Sequence, residues 1–243
     1  MTLNANTTVR ELALTRPEAT RIFERLQIDY CCGGHRTLDT ACADAGLEIA
    51  TVMQQLAAVE TNRQGAARTV DQFATLTELI EHITTKHHTY TKTEMERLTA
   101  LLTKVCAAHS ARHLELLQAS AIFQHLCADL QPHMLKEELV LFPYITRLEA
   151  AVARGDAPLR PPFGTVNNPV RMMMYEHDTA GALLRKLRAT TNNYAAPADA
   201  CLSYQTLYGA LADFAQDLHQ HIHLENNLLF PRAIELEEQA YAR

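Results

Sequence analysis

The chain has 243 residues, 47% of them apolar, with no tryptophan, eight glycines and nine prolines, a composition that can build a sizeable core and leans towards helix. Its formal net charge of −6 is spread along the chain without a basic stripe, which argues against nucleic acid as a partner. No apolar run approaches the ~18 residues of a membrane helix, and MTLNANTTVREL lacks a signal peptide's apolar segment. Cys31, Cys32, Cys42, Cys106, Cys127 and Cys201 show neither CxxC nor framework spacing. The expectation is a soluble cytoplasmic protein with reduced thiols and no membrane partner.

Residues 1–60 read as a small helical N-terminal domain. Thr8 is a cap candidate for a helix with apolar positions Val9, Leu12, Ile22, Phe23 and Leu26, and Pro17 restarts that helix at a first turn. Gly33 and Gly34 break it, Thr37 or Asp39 resumes it, and Ile49 to Val59 is a further short helix. Residues 61–72, small and polar without an apolar period, read as a linker.

Residues 73–243 read as an up-down four-helix bundle, making the fold all-α. The predicted helices run from Phe73 to about Ala107, about Ala111 to Arg154, about Pro169 to Thr191, and about Pro197 to Ala240. Ser110 is an N-cap candidate in the first turn; Asn192, Asn193 and Pro197 mark the second. Arg154 to Pro169, with four prolines and two glycines, reads as a mobile crossover. Pro132, Pro143 and Pro231 should kink or loosen their helices.

The chain repeats itself where chemistry is expected. DLQPHMLKEELVLFP (Asp129 to Pro143) returns 88 residues later as DLHQHIHLENNLLFP (Asp217 to Pro231), so His133 and Glu137 become His221 and Glu225. Spacing of four places each His–Glu pair on one helical face. His88 lies 45 residues before His133, and His177 lies 44 before His221. At 1.5 Å per residue, about 22 residues up and as many down form a hairpin roughly 30 Å tall, which returns each second histidine to the level of the first. Four histidines and two glutamates then converge at one height.

One HxxxE pair on an amphipathic helix is usually a surface salt bridge; two matching cassettes, each with a histidine at the matching height, point instead to metal. Six donors exceed what one tetrahedral zinc takes. They suit two octahedral ions, each with two histidines, both glutamates bridging and an oxo or hydroxo group between, leaving one position open on each. Imidazole and carboxylate with open positions favour iron, with manganese the main competitor. Asp129 and Asp217, one turn before His133 and His221, are expected to hold the second ring nitrogens. Glu176, beside His177, is a candidate proton relay. His109 and His113 fall at the turn, far from the metal height, and are expected to be exposed. His219 and His223 share a face apart from His221, register favours His88 over His87, and His82 and His125 read as ordinary polar-face or half-buried residues.

These residues resemble hemerythrin-like di-iron proteins and, more closely, the iron–sulfur cluster repair proteins known as the repair-of-iron-centres family. DYCCGG (Asp29 to Gly34), TVREL (Thr8 to Leu12), RPEATRIFERLQID (Arg16 to Asp29) and the C-terminal HxxxENNxLFPRA carry the likeness over nearly the whole chain. The resemblance implies His88, His133, Glu137, His177, His221 and Glu225 as di-iron ligands and Cys31 and Cys32 as a reactive pair, acting in redox or metal transfer. It also implies restoration of iron–sulfur clusters damaged by nitric oxide or oxidants, with damaged iron–sulfur proteins as partners and nitric oxide or oxygen as small ligands. Alternatives are a nitric oxide or peroxide reductase fed by Cys31 and Cys32, and a sensing module; whether the chain is an enzyme stays open, as does oligomeric state, homodimer included. Oxygen-carrying hemerythrins close one iron with an extra histidine on the third helix, where this chain has Met173 and Gly181.

Overall fold

The computed structural model describes residues 4–16, 18–60, 73–156 and 160–242; the linker expected at 61–72 and the role given to Pro17 fall outside the described residues. Among the described residues every regular element is helical, apart from one isolated antiparallel bridge between Thr8 and Thr37.

Four short helices come first: α1 (Val9–Thr15), α2 (Glu18–Leu26), α3 (Leu38–Asp44) and α4 (Ile49–Glu60). Thr8 caps α1 in a reciprocal box with Glu11, and Thr37 caps α3, as their residue types predict. The break after α2 falls earlier than the glycines suggest: Gln27 takes a left-handed φ of 60° directly after Leu26. Gly33 and Gly34 are absent from the positive-φ positions. Gly34 is needed for close approach instead, because a Cβ there would lie 2.7 Å from the Tyr30 carbonyl oxygen. Val9, Leu12, Phe23, Leu38 and Val52 bury almost completely in a core of their own.

The bundle follows. Its first helix is α5 (Leu76–His82), π1 (Ile83–His88) and α6 (Thr89–His109); its second is α7 (Glu115–Lys136), π2 (Glu137–Leu141) and α8 (Phe142–Arg154). The third is an unbroken α9 (Asn167–Thr190), and the fourth is α10 (Leu202–Leu224), π3 (Glu225–Leu229) and α11 (Phe230–Tyr241). Thr75 caps α5 in a box with Glu78, and Glu149 of α8 accepts from the Leu76 and Thr77 amides, tying the start of the first helix to the end of the second. Ser110 ends α6 instead of capping α7, whose preceding residue is Leu114. The turn at Asn192 and Asn193 forms as expected, both at positive φ, but helix resumes only at Leu202.

Helix continues through Pro132 and Pro143, and the loosening takes a definite form. π2 and π3 each begin at a cassette glutamate, and the amides of Phe142 and Phe230 donate to the carbonyls of Glu137 and Glu225, five residues back. Pro143 and Pro231 follow immediately and lack the donor for the usual i−4 bond, so a wider turn is favoured just ahead of them.

The crossover is less free than its prolines imply. Buried Glu237 of α11 accepts from the Val166 amide at 2.9 Å, the Thr165 hydroxyl at 2.5 Å and the Tyr144 hydroxyl, while Phe163 packs edge-on to Tyr144 at 5.1 Å. Residues 157–159 lie outside the described residues.

Two apolar layers fill the bundle. One, holding Leu98, Phe123, Leu184 and Phe214, includes an edge-to-face Phe123–Phe214 pair at 5.4 Å, a geometry that adds about 0.5–1.5 kcal/mol beyond area burial. The other holds Ile83, Ile145, Val170 and Phe230. Along the long helices the metal-candidate residues fall where one layer gives way to the other.

Candidate metal centre

His88 ends π1, His133 lies in the last turn of α7, Glu137 opens π2, His177 sits mid-α9, His221 lies in the last turn of α10 and Glu225 opens π3. All six are at most 2% exposed. They form two groups of four potential donors: His88, His221, Glu137 and Glu225 on one side, and His133, His177, Glu137 and Glu225 on the other. The glutamates belong to both.

The distances give the carboxylates a bridging disposition. Glu225 directs Oε1 to His221 Nε2 at 3.0 Å and Oε2 to His177 Nε2 at 3.1 Å. Glu137 Oε2 lies 3.5 Å from His88 Nε2 and 3.4 Å from His133 Nε2. Nε2 atoms face one another at 3.0 Å in both the His88–His221 and His133–His177 pairs.

Three of the four rings have their other nitrogen held by an acceptor. Nδ1 of His88 donates to Glu138 at 2.7 Å, Nδ1 of His133 to Glu176 at 2.8 Å and Nδ1 of His177 to the Asn226 side-chain oxygen at 2.8 Å. A hydrogen on Nδ1 leaves the Nε2 lone pair free and inward. Opposed lone pairs and buried carboxylate oxygens without hydrogen-bond partners, as on Glu137, are what cations placed between them would satisfy. The donors therefore fit a pair of metal ions.

The electrostatics are those of two buried carboxylates facing each other among histidines. Burial, followed by the charge of Glu225, pushes the Glu137 carboxyl well above its usual range. Burial opposes the charge on Glu225, but His221, His177 and His88 outweigh it and hold that carboxyl well below the usual range. Burial pushes His221 down to about 4 and lowers His133, favouring the neutral ring that binds metal.

Several expectations are corrected. Asp129 is exposed and pairs with His125 at 3.5 Å, and Asp217 pairs with His87 at 3.0 Å, so neither holds the ring of His133 or His221. One helical turn carries each aspartate past the ligand ring; the neighbouring helix supplies Glu176 to His133 instead, while His221 Nδ1 has no hydrogen-bond partner. Glu176 lies on the outer side of His133, away from the inward Nε2 atoms, and its hydrogen bond from His133, then Lys136, holds it down at about 2. It orients a ring and remains charged, which does not suit a proton relay. Lys92 clamps Glu138 in the same way at 2.6 Å. His109 and His113 are half-buried, His109 against Cys201 at 3.1 Å and His113 against Asp199 at 3.1 Å. His88 does take the central place that register gives it, with buried His87 beside it.

DYCCGG packs directly on the far side of π3. The Asn226 amide donates to the Cys31 carbonyl at 3.4 Å, and the Asn227 amide donates to the Tyr30 carbonyl at 3.3 Å and to His223 Nδ1 at 2.9 Å. Tyr30 meets the His223 ring at 5.2 Å. Cys31 joins the bundle's apolar layer, and a Cβ on Gly181 would stand 3.8 Å from Cys32 Sγ. The second cassette's extra polar residues, Asn226, Asn227 and His223, thus serve docking, and the signal was visible as their departure from Glu138, Leu139 and Leu135 in the first cassette.

Fold and donor set define a hemerythrin-type cation-binding bundle: the hemerythrin HHE cation binding domain matches residues 79–233, and the ScdA_N domain of unknown function (DUF542) matches residues 5–60. The chain is 35% identical over 227 residues to the probable iron–sulfur cluster repair protein of Haemophilus influenzae, covering 92% of this chain and 95% of that one. It is 36% identical over 225 residues to the iron–sulfur cluster repair protein YtfE of Cronobacter sakazakii, and 34% over 227 to that of Escherichia coli O8, with 92% and 94% of the two chains covered in each case. The chain belongs to the iron–sulfur cluster repair protein family. No helix among the described residues is long and apolar enough to cross a membrane.

Proposed function

We propose that the chain repairs iron–sulfur clusters, drawing on two non-haem irons held by His88, His133, Glu137, His177, His221 and Glu225. The observation that carries this reading is that both four-donor groups share Glu137 and Glu225. His88 and His221 would hold one ion and His133 and His177 the other, with the carboxylates and an oxo or hydroxo group between them. Iron bound there supplies redox chemistry and exchangeable metal. The protein's own contribution is orientation and dryness: Glu138, Glu176 and Asn226 fix ring tautomers, and two apolar layers exclude water. Residues 1–60 act as a module joined to the bundle through 61–72, and damaged iron–sulfur proteins are the partners. The test is restoration of activity to a nitric-oxide-damaged cluster enzyme by iron-loaded protein. His133→Ala and Glu225→Ala should abolish restoration; failure of the intact protein to restore activity overturns the reading.

A second reading is reduction of nitric oxide or peroxide at the same centre, with Cys31 and Cys32 giving two electrons and two protons as they form a disulfide. Its support is the Asn226 bridge between His177 and the Cys31 backbone. Anaerobic turnover to nitrous oxide that is lost in Cys31→Ser would favour it; stoichiometric binding alone would reject it.

A further inference from the structure

A second cluster of donors lies outside the His/Glu centre, in the loop between α2 and α3. Asp29, Cys31 and Cys32 bring one carboxylate oxygen and two sulfurs within 4.8 Å of one another. Cys31 Sγ lies 3.9 Å from Cys32 Sγ and 3.4 Å from Asp29 Oδ1. A tetrahedral ion with metal–sulfur bonds of about 2.3 Å and metal–oxygen bonds of about 2.1 Å has S···S edges near 3.8 Å and S···O edges near 3.6 Å. The loop presents both edges within about 0.2 Å.

The local backbone explains why. Asp29 Oδ1 accepts from the amides of Cys31 at 3.2 Å and Cys32 at 2.9 Å, folding the chain back so that adjacent side chains share a carboxylate. Close approach at Gly34 and the Asn226 and Asn227 bonds to the Tyr30 and Cys31 carbonyls fix the turn from the other side. Access is provided as well. Asp29 and Cys31 line a cleft of about 660 Å³ between the N-terminal helices and the bundle, which Arg185 and His219 also line. Arg185 Nη1 stands 3.7 Å from Asp29 Oδ2, favourable for a site carrying net negative charge.

We propose that Asp29, Cys31 and Cys32 form a second cation site, separate from the His/Glu centre, that takes a thiophilic divalent ion such as Zn²⁺, Cd²⁺ or ferrous iron, with its remaining position open to the cleft. Binding forms two metal–thiolate bonds and one metal–carboxylate bond, and both thiol protons leave to solvent. Cys32 alongside, then burial, pushes the Cys31 thiol well up, so a bound cation is what draws the Cys31 proton off. The site stands whether or not the His/Glu centre holds iron.

The test is titration of the full-length, iron-loaded protein with Cd²⁺ under anaerobic reducing conditions. Sulfur-to-cadmium charge transfer in the near ultraviolet reports thiolate ligation, which histidine and carboxylate do not produce. A band saturating at one Cd²⁺ per chain, with two protons released, is expected. It should be lost in Cys31→Ser and Cys32→Ser, and kept when Cys42, Cys106, Cys127 and Cys201 are all replaced by serine. Asp29→Asn, which retains the oxygen that accepts the loop amides, should weaken binding by about tenfold or more. His133→Ala should lose iron yet keep the band, so failure of the iron reading and failure of this one are separate results. Absence of a saturating band in the intact chain, its survival in both cysteine variants, or unchanged affinity in Asp29→Asn overturns the proposal.

Discussion

His177 donates from Nδ1 to Asn226 at 2.8 Å, and the amide of the same asparagine reaches the Cys31 carbonyl at 3.4 Å. One side chain therefore orients a ring of the candidate centre and holds the cysteine loop. Asn226→Ala should lower metal affinity by about 10–100-fold, as loss of an outer partner commonly does, and should also raise hydrogen exchange across residues 28–36. Competition against a chelator and exchange mass spectrometry read the two effects. Loss of one without the other would uncouple loop and centre.

The pseudo-twofold is imperfect at its outer contacts. Both Nδ1 atoms of the His133–His177 pair are anchored, whereas in the other pair only His88 is, and buried His221 Nδ1 has no hydrogen-bond partner. The position equivalent to Glu176 is His87, which turns to Asp217 and only stacks on His221 at 5.9 Å. The ion on His88 and His221 should exchange faster, on the order of tenfold, than its neighbour. Biphasic chelation with one ion per phase is the expected result, and a single phase would count against the asymmetry.

Pro231 has no amide hydrogen for the Asn227 carbonyl four residues back, and Arg10 of α1 donates to that oxygen at 2.7 Å. Arg10→Ala should weaken docking of the N-terminal helices by about 1.5 kcal/mol, the low end for a charged hydrogen bond because Arg10 is half-buried. Limited proteolysis should then cleave the N-terminal helices from the bundle faster, while iron content stays unchanged.

Acid should open the same interface. His223 accepts at Nδ1 from Asn227 and is held down at about 4 by burial, against an ordinary 6.5. Between those values the unfolded chain binds more protons, so His223's contribution is complete above about pH 6.5 and is lost as pH falls towards 4. Denaturant midpoints of the metal-free protein should fall over that window, and His223→Gln should flatten the slope. An unchanged slope would contradict the assignment.

Much of this architecture was legible because repetition and helical period carry it. Two His–Glu cassettes and the 44- and 45-residue returns lead to the six central residues, and Thr8, Thr37, Asn192 and Asn193 announce their caps and turns chemically. The outer contacts were not legible. Glu138, Glu176 and Asn226 reach rings on other helices, so their partners depend on interhelical register, which spacing along one helix cannot supply; Asp129 and Asp217 are misread for that reason. Glu237 escapes notice likewise, since nothing local marks a carboxylate that will accept from a crossover 71 residues away.

Metal analysis with Mössbauer spectroscopy on anaerobically purified protein decides whether a pair of irons shares Glu137 and Glu225. Two irons per chain, antiferromagnetically coupled in the oxidised state and lost in Glu137→Ala, is the predicted result. One metal per chain, or zinc in place of iron, would contradict it.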